Sequence, residues 1–188
     1  TFDTIAHVEV RYSTDGTAWP AGKIIAATVN ATTGTPYSWG VPDEIGTNLS
    51  VKITDTSDPS VSNVSSNLFA IKGAIQIIQP NGNENFLKGS SQQIQWKPTG
   101  TYPGSVLLEY SNDSGSTWKG IAAPSAGADN VTQTYNWTVP DDIGTTTIVR
   151  VATQIGQASV DVNDTSNATF KIKGSTQVVA PTCGELWY

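Results

Sequence analysis

Residues 111–118 spell Ser-Asn-Asp-Ser-Gly-Ser-Thr-Trp, and residues 13–19 spell the near-copy Ser-Thr-Asp-Gly-Thr-Ala-Trp. Each places a carboxylate two residues after a serine and a few residues before a tryptophan. Such a carboxylate could do acid–base work, hold a cation, or satisfy the N–H groups of a tight turn. The spacing favours the turn. Ser111, Asp113 and Thr117 can bond hairpin backbone groups, Gly115 can take a positive φ, and Trp118 can pack beneath.

The Ser-x-Asp-x-Gly-x-Thr-Trp pattern is the Asp-box, a hairpin signature of sialidase-type propeller blades. Sialidase chemistry needs clustered arginines for the substrate carboxylate and a Tyr/Glu nucleophile pair. The chain has two arginines, Arg11 and Arg150, at outward strand positions of different repeats. Two arginines so placed cannot make that cluster. A Ser-His-Asp triad would have to use His7, the one histidine, which reads as an ordinary strand-start residue. The acid pairs Asp43-Glu44 and Asp141-Asp142 follow Val-Pro and precede Ile-Gly, which is turn chemistry rather than a carboxylate pair across a cleft. No catalytic residue is expected, and the chain reads as a non-enzyme.

For a metal, the weak candidates are Asp55, Asp58, Asp161 and Asp164, oxygen donors just before the last strand of each repeat. Their spacing matches no EF-hand loop. Calcium is the one cation these donors suggest, and no other cofactor is implied. Eight Asn-x-Ser/Thr triplets begin at Asn30, Asn48, Asn63, Asn112, Asn130, Asn136, Asn163 and Asn167. They read as β-turn chemistry or as glycosylation sites, and either reading points to an exposed, extracellular surface. Trp19, Trp118 and Tyr102 are the aromatics that could face a ligand such as a glycan.

These residues need elements to hold them, and an internal repeat supplies the frame. Residues 8–19 align with 106–118, 37–53 with 135–151, 65–73 with 165–174, and 78–86 with 179–187. Four blocks in one order at a period near 100 residues fit an immunoglobulin-like sandwich, whereas propeller blades repeat every ~40–50 residues. The fold expected is all-β: tandem antiparallel sandwiches with strands near 75–79, 91–96, 105–111, 116–122, 132–138, 146–153 and 168–173 in the complete copy. Alternation puts Val106, Leu108 and Tyr110 on one inward face, with Val8, Val10 and Tyr12 as their counterparts. Val149 and Val151 flank outward Arg150, as Val51 and Ile53 flank Lys52. Trp96, Tyr135 and Trp137 add core bulk.

The boundaries expected are 1–73, a repeat lacking its opening strands; 74–174, a complete repeat; and 175–188, the opening strand of a third. The missing strands fit either an excerpt from a longer array or strand donation between subunits. Cys183 is the only cysteine, so it is inert or pairs outside the sequence.

Composition removes other classes. The formal net charge is −6 at pH 7, with no basic stripe to displace counterions from nucleic acid. No apolar run approaches the ~20 residues of a membrane span, and no signal peptide opens the chain, as in a mature or excerpted secreted segment.

The order P-N-G-x-E … I-x-W … Y-S-x-D-x-G-x-T-W … Y-x-W-x-V-P … F-x-I resembles the Ig-like repeats of large bacterial and archaeal surface proteins. It is also similar to the Ser/Thr-rich Ig-like domain of fungal cell-wall glycoproteins. The resemblance implies a spacer, stalk, filament or adhesive array at the cell surface, or an accessory module of a secreted hydrolase. It implies as partners neighbouring repeats, identical subunits head to tail, or surface glycans. Two positions depart from it: Asn83 and Cys183 stand where the pattern favours glycine.

Overall fold

The computed structural model describes residues 4–32, 34–154 and 161–177. Among the described residues every regular element is a strand. In the first repeat these are β1 (His7–Ser13), β2 (Ile24–Asn30), β3 (Gly46–Asp55), β4 (Ser62–Val64) and β5 (Phe69–Ile71). The second repeat adds β6 (Ala74–Gln79), β7 (Asn85–Leu87), β8 (Ser91–Thr99), β9 (Val106–Ser111) and β10 (Lys119–Ala122). It continues with β11 (Gln133–Thr138), β12 (Gly144–Thr153), β13 (Asn163–Thr165) and β14 (Phe170–Lys173). The chain is an all-β, immunoglobulin-like tandem.

The second repeat is a two-layer sandwich. One sheet runs β10-β9-β12-β14-β7, with β13 also on β12; the other runs β11-β8-β6. All pairings are antiparallel except β14 with β7. Period-two alternation decides what lies between the layers. Val106, Leu108, Val149, Val151 and Phe170 from the first sheet meet Ile77, Ile94, Trp96 and Trp137 from the second. Trp96 is buried with its indole satisfied, Nε1 donating to the Ala126 carbonyl at 3.0 Å. Tyr135 is half-buried against the same core.

In the first repeat, the described residues form one layer, ordered β2-β1-β3-β4, with β5 also on β3. This corrects the expectation for part of its inward set. Tyr12 is buried and Val51 packs against its cluster, but Val8 and Val10 are only half-buried and Ile53 is 43 % exposed, because no described second sheet covers them. The same deficit explains residues 35–40. They align with β11, yet they form no strand. β11 owes its ladder to β8, where Tyr135 pairs with Ile94 and Trp137 with Gln92; the first repeat has no described β8 equivalent to offer those hydrogen bonds.

What the first repeat does retain is an aromatic cluster. Tyr12 and Trp39 rings lie 5.5 Å apart, and Trp39 meets Phe69 edge-on at 6.3 Å. Tyr110, Trp137 and Phe170 repeat that cluster at 5.6 and 6.3 Å. In the second repeat two strands were not anticipated: β7 and β13 are three residues each, too short for a periodic signal, as is β4 in the first repeat. Cys183 and most of the expected third repeat lie outside the described residues.

Candidate functional site

In the second Asp-box, Ser111 Oγ donates to Asp113 Oδ1 at 2.6 Å and accepts from the Gly115 N–H at 2.8 Å. The Asp113 carboxylate accepts from the Thr117 N–H at 2.8 Å and the Thr117 hydroxyl at 2.6 Å. Gly115 has φ +93 and Ser114 φ +57, so the turn uses two left-handed residues. In the first box, Asp15 accepts from Ser13 Oγ, Thr17 N–H and Ala18 N–H at 2.7–2.8 Å. Hydrogen bonds from Ser111, then Thr117, hold the Asp113 carboxyl down at about 2. Those from Ala18 and Thr17 hold Asp15 well below the usual carboxylate range. Donors surround the charged form of both carboxyls, the opposite of what a general acid at neutral pH needs.

Beside each hairpin a second motif recurs. Lys119 Nζ and the Tyr110 hydroxyl both donate to Asp142 Oδ2 at 2.7 Å. The Lys119 ammonium also sits 5.6 Å from the Tyr110 ring centre. In the first repeat Lys23 pairs with Glu44 and lies 5.3 Å from the Tyr12 ring. Lys119, then Tyr110, lowers Asp142; burial, then the Asp142 hydrogen bond, pushes Tyr110 up to about 12. The second acid of each Val-Pro-acid-acid turn therefore ties the turn to the Asp-box sheet.

Both box tryptophans are half-buried under a cation. The Arg150 guanidinium stacks 4.1 Å from the Trp118 ring centre, and Lys52 lies 5.9 Å from Trp19. Arg150 is in turn bound by Glu109, and Arg11 by Glu9. The two arginines sit in separate sheets, each with its own carboxylate. For Tyr102 the expectation is corrected: it is 5 % exposed, inside the second core, and is not a ligand-facing ring. Sequence reasoning missed this because residue 102 lies in a loop, where alternation gives no inward or outward sign.

The four candidate metal ligands serve separate local roles. Asp55 accepts from the Ser57 N–H and hydroxyl, and Asp58 from those of Ser60. Asp164 accepts from the Ile77 N–H at 2.8 Å, joining β13 to β6. The Thr153 hydroxyl reaches Asp161 at 3.5 Å. Among the described residues no three His, Cys, Asp or Glu side chains converge on one point. His7 is exposed at the start of β1, its carbonyl accepting from the Thr56 N–H. The sequon asparagines Asn30, Asn48, Asn63, Asn130, Asn136, Asn163 and Asn167 are exposed, whereas Asn112, inside the box turn, is half-buried.

The most specific arrangement is one that the spacing did not reveal: the joint between the repeats. Asp43 Oδ1 and Oδ2 accept from the Thr101 N–H at 2.8 and 3.0 Å, and Oδ2 from the Thr101 hydroxyl at 2.6 Å. Asp129 holds the same loop from behind, accepting from the Gly100 N–H at 2.6 Å. Ile45 packs against the second core. Gly73 has no room for a side chain: a Cβ would lie 2.3 Å from the Thr99 carbonyl and 2.6 Å from the Tyr102 hydroxyl. Burial, then the charges of Asp161 and Asp43, pushes the Tyr102 phenol up to about 12. The only signal in the sequence was the short gap between β5 and β6.

No protein-family model matches the chain, and no curated protein matches it. Solved structures do. The fibronectin(III)-like modules of Clostridium thermocellum CbhA align at 12 % identity over 93 % of this chain and 81 % of that one, with TM-score 0.39. A chimeric titin Z1Z2–Z1Z2 tandem aligns at 16 % identity over 91 % and 87 %, with TM-score 0.30. A three-Ig titin segment aligns at 12 % identity over 90 % of this chain and 55 % of that one, with TM-score 0.38.

Proposed function

We propose that this chain is an extracellular, non-catalytic structural segment of a cell-surface stalk, filament or adhesin-type protein. The observation that carries the proposal is the joint. A linker alone would tether two sandwiches; here Asp43 clamps Thr101, Ile45 packs into the next core, and Gly73 admits Tyr102 at close range. Such a joint restricts bending and transmits load along the chain. The partners proposed are therefore neighbouring repeats in line or identical subunits head to tail. Exposed sequons would carry glycans that shield the sheet edges.

Pulling single molecules of the full chain by its ends tests this. The second repeat should unfold as one discrete event that releases about 350 Å of chain, at ~3.5 Å for each of roughly 100 residues. Extension without such an event would contradict a mechanical role.

A carbohydrate-binding or hydrolase-accessory module is the rival reading, favoured by Trp19 and Trp118 on the outer faces of their sheets. Arg150 already occupies one face of Trp118, where a sugar would stack. Glycan-array binding that Trp118→Ala abolishes without unfolding would support the rival.

A further inference from the structure

The clamp that grips the second repeat is duplicated at that repeat's own far end. Val139-Pro140-Asp141-Asp142-Ile143-Gly144 repeats Val41-Pro42-Asp43-Glu44-Ile45-Gly46, and Ile172-Lys173-Gly174 repeats Ile71-Lys72-Gly73. At the first joint this surface forms one wall of a cleft whose other wall is Thr99, Gly100, Asp129 and Asn130. At the second, Ile143, Gly144, Thr145, Ile172 and Gly174 line an open cleft of the same make. Ile143, the counterpart of Ile45, is 61 % exposed.

Gly174 adds an independent observation. Gly73 is a glycine because the next repeat's Thr99 carbonyl and Tyr102 hydroxyl press on it. Among the described residues, a Cβ at Gly174 would meet only the flexible tip of Ile143, at 3.0 Å. Neither glycine needs a left-handed backbone. The residue at 174 thus keeps a gap that its own repeat does not use. Asp141 is exposed and pairs with Lys88 at 2.7 Å. A surface pair of that kind is weak and can yield to a threonine N–H and hydroxyl like those that Asp43 accepts.

We propose that Asp141, Ile143 and Gly174 form the docking site for the opening loop of a following repeat of the 74–174 type. That loop would be the counterpart of Thr99-Gly100-Thr101-Tyr102, so that the array propagates by one repeated joint. This rests on the array reading above and names the partner of that same kind of surface. Asp141 accepts from the threonine N–H and hydroxyl, Ile143 packs into the incoming core, and Gly174 receives the tyrosine.

The test is the chain with a second copy of residues 74–174 placed directly after Gly174, followed by hydrogen exchange. The Thr101 amide of the appended copy should exchange at least about tenfold more slowly than in the same chain carrying Ile143→Asp or Asp141→Ala. Both substitutions fall on exposed side chains, so folding should survive them. The original Thr101 amide should respond in the same way to Ile45→Asp. An effect at the first joint with none at the second overturns the docking site and leaves the array reading standing. No effect at either joint overturns both. Dimerisation of the unextended chain that Ile143→Asp abolishes would assign the face to a second copy, and overturns the proposal too.

Discussion

Asp113 shows how a residue that could do chemistry is spent on structure. Its oxygens accept from Ser111 and Thr117, and these bonds hold the carboxyl at about 2 in the folded chain against ~3.9 unfolded. A lowered folded value means the stabilisation is complete above the unfolded value and is lost as pH falls through about 2. Asp113→Ala should therefore lower the urea midpoint at pH 7, and the gap from the parent chain should narrow as the pH falls through that window. Ser166 offers a sharper contrast. Its buried hydroxyl accepts from the Val149 N–H at 3.0 Å and donates to the Pro80 carbonyl at 2.8 Å. Its counterpart Ser65 accepts from the Val51 N–H at 3.2 Å in an exposed setting. Ser166→Ala should cost ~1–3 kcal/mol, because it strands buried groups, and Ser65→Ala measurably less by the same denaturation assay.

At the scale of elements, the two repeats carry one pattern to two outcomes. Tyr37-Ser38-Trp39 and Tyr135-Asn136-Trp137 are near-identical, yet only the second stretch is a strand. Alternation states which side chains could face a core; it does not state whether a partner strand exists. Hence the inward set of the second repeat was legible, and Ile53 and Tyr37, at 43 % and 53 % exposure, were not. Asn83 was legible only as a departure from a glycine-favouring position; its φ of +70 explains that preference. Amides of β1 and β3 should exchange at least about tenfold faster than those of β9 and β12, since no second sheet among the described residues covers the first. Placing a copy of residues 74–99 ahead of residue 1 should narrow that difference by supplying β6 and β8 equivalents. Unchanged exchange would show that the first sheet gains nothing from a second layer.

Across the whole molecule, repeat and period were written in the sequence, whereas the joint was not. Asp43 and Thr101 lie 58 positions apart and belong to no shared motif. Their contact follows from how two folded units meet, which neither repeat's pattern encodes alone. Asp43, Ile45 and Gly73 make this meeting a built joint rather than a loose string. Backbone residual dipolar couplings on the full chain report directly whether the joint is rigid. One alignment tensor should fit the strands of both repeats in the parent chain. Gly73→Ala, whose methyl would overlap the Thr99 carbonyl, should require two. Two unrelated tensors in the parent chain would contradict a built joint.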